Sequence, residues 1–163
     1  MRQITPNLWV NDGKIEEAVA FYCSLFDDSG VTSSTDYGPD AGELAGQKMA
    51  VSFTLQGQPY AAINGGDTRF EANEALSLAV PCDTQEEIDR LWAALTEGGK
   101  PGPCGWLRDR FGFSWQVYPS RLDEMMNDAD PEKVQRVTAC FMRIDGRAFD
   151  IAELEAAYEG RES

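Results

Sequence analysis

Residues 104–119, CGWLRDRFGFSWQVYP, decide how this chain is read. The stretch divides into two short strands, CGWLRDR and FGFSWQVYP, joined by a tight turn. The second strand is rich in aromatics and carries a single amide, Gln116. Side chains alternate along a strand, so Ser114, Gln116 and Tyr118 share one face while Trp115 and Val117 turn to the core. With no histidine in the chain, an uncharged glutamine on the outward face raises the question of what chemistry that face supports.

Upstream of the hairpin the pattern is a strand, EALSLAVPC, and then a helix, DTQEEIDRLWAALTEGG. Asp83 and Glu86 are spaced as a capping box. Ile88, Leu91, Trp92 and Leu95 form an apolar stripe, and Gly98 and Gly99 end the helix. The first part of the chain has the same order. ITPNLWV is a strand and KIEEAVAFYCSLF a helix, capped by Asp12 or Asn11, with Ile15, Ala18, Val19, Tyr22, Leu25 and Phe26 on one side. DDSGVTSSTDYGPDAGELAGQ reads as a strand edge plus a long loop. KMAVSFTLQG and QPYAAIN are further strands, closed by the turn NGG. EEAVAFYCSLF at 16–26 and EEIDRLWAALT at 86–96 match as charged start, aromatic middle and leucine close. That is a weak internal repeat.

After Arg121 the pattern turns helical. DPEKVQRVTACFMRI has Asp130 as cap and Pro131 at the first helical position, with Val134, Val137, Phe141 and Ile144 on one face. DIAELEAAYEG opens on an Asp150–Glu153 capping box, with Phe149 and Leu154 placed for a hydrophobic staple. A tail so well specified folds, and its apolar face needs the sheets or a second subunit to bury it.

Composition bounds the function. The net charge is -14, from 28 acidic and 14 basic residues. With no basic stripe to meet phosphates, neither nucleic acid nor a membrane surface is an expected partner, and any anion site has to be local. MRQITPNLWV lacks the apolar segment of a secretory signal, so the expected location is cytoplasmic. The four cysteines, Cys23, Cys82, Cys104 and Cys140, form no metal-type pair. Cys23 and Cys140 read as small apolar residues in helices. Cys82 and Cys104 are placed to face a pocket, where Arg108 and Arg110 would be needed to favour a thiolate.

The two strand–helix–strand–strand–strand modules resemble the vicinal oxygen chelate superfamily of glyoxalases, bleomycin-resistance proteins and extradiol dioxygenases. NGG, LAVPCDTQEEIDRLWAALTEGG and CGWLRDRFGFSWQVYP resemble its PhnB-like branch more narrowly, the one labelled 3-demethylubiquinone-9 3-methyltransferase, and the helical tail resembles that branch's extension. The resemblance implies an α+β fold: tandem βαβββ modules at 1–66 and 67–120 forming a cup-shaped mixed sheet of eight strands, with a C-terminal helical extension at 121–163, all one structural domain. It also implies a homodimer. A methyltransferase of the Rossmann type needs a glycine-rich strand-to-helix turn, and the sequence has none.

In active members of the superfamily, the first and last strands of each module supply the ligands of one divalent metal. The matching positions fall near Thr5 or Asn7, near Ala61, near Ala75 or Ser77, and at Gln116. A catalytic metal needs about three ligands from His, Asp, Glu or Cys; amides, hydroxyls and alanine do not supply them. No metal and no other cofactor is expected. The candidate ligand-binding residues are Asn7, Trp9, Ser77, Trp106, Arg108, Ser114, Gln116 and Tyr118, with Gln116 orienting a ligand in an apolar cup. Tyr60 is a further aromatic candidate, while Trp92 and Trp115 belong to the core. Arg108 and Arg110, with Asp109 between them, offer a local anion site, although a solvated cluster of surface ion pairs is the simpler reading.

The leading expectation is a metal-independent homodimer that binds a small apolar or aromatic molecule. One alternative is an enzyme with an atypical metal site or an acid–base site; another is a dimeric interaction protein whose pocket is vestigial.

Overall fold

The computed structural model describes residues 3–66 and 68–161. The chain forms two compact units, Met1–Glu71 and Ala72–Ser163. The first contains β1 (Asn7–Val10), α1 (Ile15–Leu25), β2 (Gly30–Asp36), a short 3-10 turn (Gly42–Leu44), β3 (Lys48–Leu55) and β4 (Gln58–Asn64). The second contains β5 (Leu78–Cys82), α2 (Gln85–Thr96), β6 (Lys100–Pro101), β7 (Trp106–Arg108) and β8 (Ser114–Pro119), then α3 (Leu122–Met126), α4 (Pro131–Phe141) and α5 (Ile151–Glu159).

Each unit builds one four-stranded mixed sheet, ordered β1-β4-β3-β2 in the first and β5-β8-β7-β6 in the second. In both, the first strand runs parallel to the last and the remaining pairs are antiparallel. The weak sequence repeat is therefore a repeat of topology.

Strand parity fixes which face each helix covers. In the first unit Leu8, Val10, Val51, Phe53, Leu55 and Ala62 are buried together with Ile15, Ala18, Val19 and Tyr22 of α1. Tyr60 is the register partner of Phe53 and stacks on it at 5.6 Å. That side chain packs on the helix side, against Phe53. In the second unit Val80, Cys82, Leu107, Trp115 and Val117 are buried with Ile88, Leu91 and Leu95 of α2. Trp92 is only half-buried, at the edge of the stripe.

Two helix starts differ from the sequence reading. Thr84, not Asp83, caps α2: its hydroxyl accepts from the Glu87 amide, and Glu87 Oε2 accepts from both Asp83 N (2.8 Å) and Thr84 N (3.1 Å). The capping box is real but lies one residue later. At α1 no side chain caps the helix. Asn11 instead donates to the Phe70 carbonyl (2.8 Å), and Asp12 pairs with Arg69. Both residues fasten the segment that follows β4.

The tail folds on its own unit. Gln85 of α2 grips the start of α5 with both ends of its amide, donating to the Phe149 carbonyl (2.8 Å) and accepting from Ile151 N (2.9 Å). Asp130 and Asp150 cap α4 and α5 as expected, but the Glu153 carboxylate bonds Arg147 instead of closing a reciprocal box. Val137, Ile144, Phe149 and Leu154 are all buried within the single chain. Val134 and Phe141, on the same face of the tail, are half-buried. Phe149 reaches the sheet at Gly105, where φ is +77° and a Cβ would lie 2.4 Å from the Phe149 ring and 2.6 Å from the Val117 carbonyl oxygen.

The β7–β8 turn is organised by Asp109, which is buried and not part of a solvated surface cluster. Its Oδ1 accepts from the amides of Phe111 (2.8 Å) and Phe113 (3.0 Å), and its Oδ2 accepts from Trp115 Nε1 (2.8 Å). Three N–H donors compensate a charge that would otherwise be costly to bury.

Three outcomes test this account. Asp109→Ala leaves those donors without their acceptor and should cost about 3 kcal/mol or more in denaturant unfolding. Asp109→Asn sets an amide N–H against the indole N–H, and Trp115→Phe in the same chain should recover part of that loss. Gly105→Ala should destabilise by about 2–4 kcal/mol, from overpacking plus a left-handed backbone. The third concerns Cys82, whose thiol is pushed by burial from 9.0 up to about 11. The folded state then holds a proton that the unfolded state releases, so this contribution to stability is full below pH 9 and is lost as pH rises through about 11. Melting curves should fall more steeply over that range for the wild type than for Cys82→Ala.

Candidate functional site

The face of the second sheet opposite α2 carries the candidate site. Gln116 lies in the middle of β8, with Ala79 of β5 as its partner on one side and Trp106 of β7 on the other. One step along, Ser114 pairs with Arg108, which in turn pairs with Lys100 of β6. Directly opposed residues point to the same side of a sheet, so Gln116, Trp106, Ser114 and Arg108 share one face, and Tyr118 continues it along β8. Six of the eight candidates, Ser77, Trp106, Arg108, Ser114, Gln116 and Tyr118, lie on this side of the unit. Asn7 and Trp9 belong to the first unit.

Gln116 does not stand free on this face. Its Nε2 donates to Ser77 Oγ at 2.8 Å. Gln116 and Ser77, one of the two residues (Ala75 or Ser77) that the family resemblance matched to a metal ligand, are thus joined by a neutral hydrogen bond. Their counterparts in the first unit, Asn7 and Ala61, are register partners on β1 and β4. Amide, hydroxyl and methyl groups do not make a site for a transition metal. Among the described residues, no group of three His, Cys, Asp or Glu side chains is placed to hold a metal ion. The donor set does not fit the family's metal.

Beside these residues a groove of about 370 Å³ runs along the outer hairpin of the sheet. Its walls are Lys100, Pro101, Gly102, Pro103, Trp106, Leu107 and Arg108, with Glu74 from the segment before β5. Trp106 and Arg108 are the two sequence candidates that line it. Glu74 and residues 100–103 are not among the sequence candidates; the stretch between the helix-ending Gly98–Gly99 and CGWLRDR holds a two-residue strand, Lys100–Pro101, too short to leave a periodic signal. Gly99 makes that strand possible: a Cβ there would lie 2.2 Å from the Arg108 carbonyl oxygen. Gly98, with φ +70°, provides the turn after the helix.

Arg108 is half-buried and ties its guanidinium to the Ala72 carbonyl through Nη2, while its Nε is buried with no hydrogen-bond partner. The Ser114 hydroxyl, in a residue only 3 % exposed, is likewise buried and unpartnered. Neither Cys82 nor Cys104 lines the groove. Cys82 sits on the helix side with a raised pKa, which removes the thiolate reading for it. Burial raises the phenol of Tyr118 as well, with Asp123 and Cys82 adding to the shift, so it stays protonated. In the first unit, Trp9 is committed to local packing: its indole donates to the Thr68 carbonyl (3.0 Å) and it meets Phe70 edge-on at 4.9 Å. Gly65 permits this approach, since a Cβ there would lie 2.4 Å from Trp9 Nε1. No helix among the described residues is long and apolar enough to cross a membrane.

This geometry has known counterparts. A family model described as 3-demethylubiquinone-9 3-methyltransferase matches residues 2–118, ending before the three tail helices. A putative 3-demethylubiquinone-9 3-methyltransferase, PhnB protein, from Bacillus cereus is 35% identical, with a TM-score of 0.65 over 72% of this chain and 99% of that one. The protein PA1353 from Pseudomonas aeruginosa shares the fold at 24% identity and TM-score 0.58, over 73% of this chain and 98% of its own. So does the fosfomycin resistance protein FosX from Listeria monocytogenes, at 15% identity and TM-score 0.54, over 78% and 98%. No curated protein matches the chain. By its family match, its likeness to the PhnB protein and its repeated sheet topology, this chain belongs to the 3-demethylubiquinone-9 3-methyltransferase family, the PhnB-like branch of the vicinal oxygen chelate superfamily.

Proposed function

We propose that this chain is a metal-independent binder of a small apolar or aromatic molecule, working as a homodimer in the cytoplasm. The observation that carries the reading is the groove beside Trp106. Its volume of about 370 Å³ falls in the range of small-molecule sites, roughly 300–1,000 Å³. Two prolines, a leucine and an indole give it apolar walls, and a few polar groups stand at its edges. A vestigial, filled pocket would leave no such space. The neighbouring positions that hold metal ligands in active relatives are neutral here, which favours binding over metal chemistry.

Methyl transfer, named in the family's description, is not part of this reading. The strand-to-helix turns of the two units are residues 11–14 and 83–84, with one glycine in the first and none in the second. Neither is a glycine-rich cradle for a nucleotide-like cofactor. Exposed apolar side chains, among them Leu76 and Met142, offer surface for a second copy.

Native mass spectrometry of the purified protein, joined to a thermal-shift screen of planar aromatics, tests the proposal. The expected result is a dimer without stoichiometric metal, and a melting temperature raised by about 2–5 °C by at least one compound class. Trp106→Ala should abolish that shift, while Trp9→Ala should leave it in place. A stoichiometric metal, or a screen with no shift at all, would overturn the reading.

A further inference from the structure

Two polar atoms beside the groove lack partners. Arg108 Nε and Ser114 Oγ are both buried without a hydrogen bond, and their residues are directly paired across β7 and β8. An unpartnered buried donor is destabilising, and two of them side by side on one sheet face form a place where an oxygen ligand belongs. We infer that the molecule taken by this groove is a monocarboxylate with a flat apolar body, its ring against Trp106 and its carboxylate on Arg108 and Ser114. This rests on the small-molecule reading above and narrows it to one class.

The charge count supports a single negative charge. Lys100 and Arg108 face one carboxylate, Glu74, among the groove residues, a local excess of one positive charge in a chain whose net charge is -14. A dianionic phosphate needs more donors and more positive charge than this wall provides. A planar guanidinium, in contrast, matches a carboxylate edge. Access follows from the tether: Arg108 Nη2 is held by the neutral Ala72 carbonyl. A carboxylate that takes the place of that carbonyl makes a stronger, charge-assisted bond. It also turns the guanidinium so that Nε and the Ser114 hydroxyl meet the second oxygen.

The test uses matched probes, 2-naphthoate against 2-naphthamide and benzoate against benzamide, titrated calorimetrically into the full chain at low salt. The acid should bind about tenfold or more tightly than its amide. That preference should fall to about twofold or less in Arg108→Gln and weaken in Ser114→Ala, because the acid loses more affinity than its amide. Arg108→Lys keeps the charge without the planar fork and should retain only part of the preference; it also serves if the Gln variant does not fold. Equal binding of acid and amide to the wild type would overturn the carboxylate assignment while leaving aromatic binding intact. Binding of neither, by any probe in the wider aromatic screen, would remove the small-molecule reading itself.

Discussion

The Asp109 carboxylate holds the second unit's candidate face in place. Buried among the amides of Phe111 and Phe113 and the indole of Trp115, it sets the path of the turn and thereby the register of β7 on β8. That register decides which side chains look away from α2. With Leu107 opposite Trp115, the alternate residues Trp106, Arg108, Ser114 and Gln116 all fall on the other side. A slip of β7 by one residue would send Trp106 and Arg108 into the helix interface and bring Leu107 out. In so acidic a chain, the carboxylate is kept inside by local N–H groups.

Much of this is legible in the sequence. Alternation in SWQVYP separated core from open face correctly, because a period of two leaves no other assignment once Trp115 and Val117 are buried. The repeat of helix and strands survived as a repeat of sheet order. Caps were readable only to within a residue: DTQEE offers both Asp83–Glu86 and Thr84–Glu87, and the choice falls to the pair whose carboxylate also reaches a second amide. Asp109 was misread because a charged residue in a turn ordinarily faces water, and nothing local announces that the carboxylate folds back onto the following strand. The groove wall at 100–103 stayed hidden for a similar reason. Two paired residues leave no periodicity, and the glycine that lets them approach Arg108 looks like any helix stop.

The pairs Gln116–Ser77 and Asn7–Ala61 are neutral at positions where the superfamily resemblance implies metal ligands. The scaffold still brings these positions side by side, since their proximity comes from the parallel pairing of first and last strand and not from the ligands. Neutral residues at these positions avoid the repulsion that clustered carboxylates would impose. The Gln116 amide and the Ser77 hydroxyl satisfy one another in a half-buried setting, and the face can become less polar without becoming strained.

The outer strands carry a consequence for behaviour at high concentration. β2 is seven residues long and its exposed side chains are mostly serine and threonine, but its pairing with β3 is broken by register shifts at Val31/Ser33 and Thr35/Asp36. At the matching position of the other sheet, β6 is two residues long and consists of a lysine and a proline. An interrupted ladder and a strand with half its donors missing are poor templates for another chain's backbone. Both sheets therefore end, on that side, in edges that resist edge-to-edge polymerisation, and copies of this protein should crowd without seeding fibres from these strands.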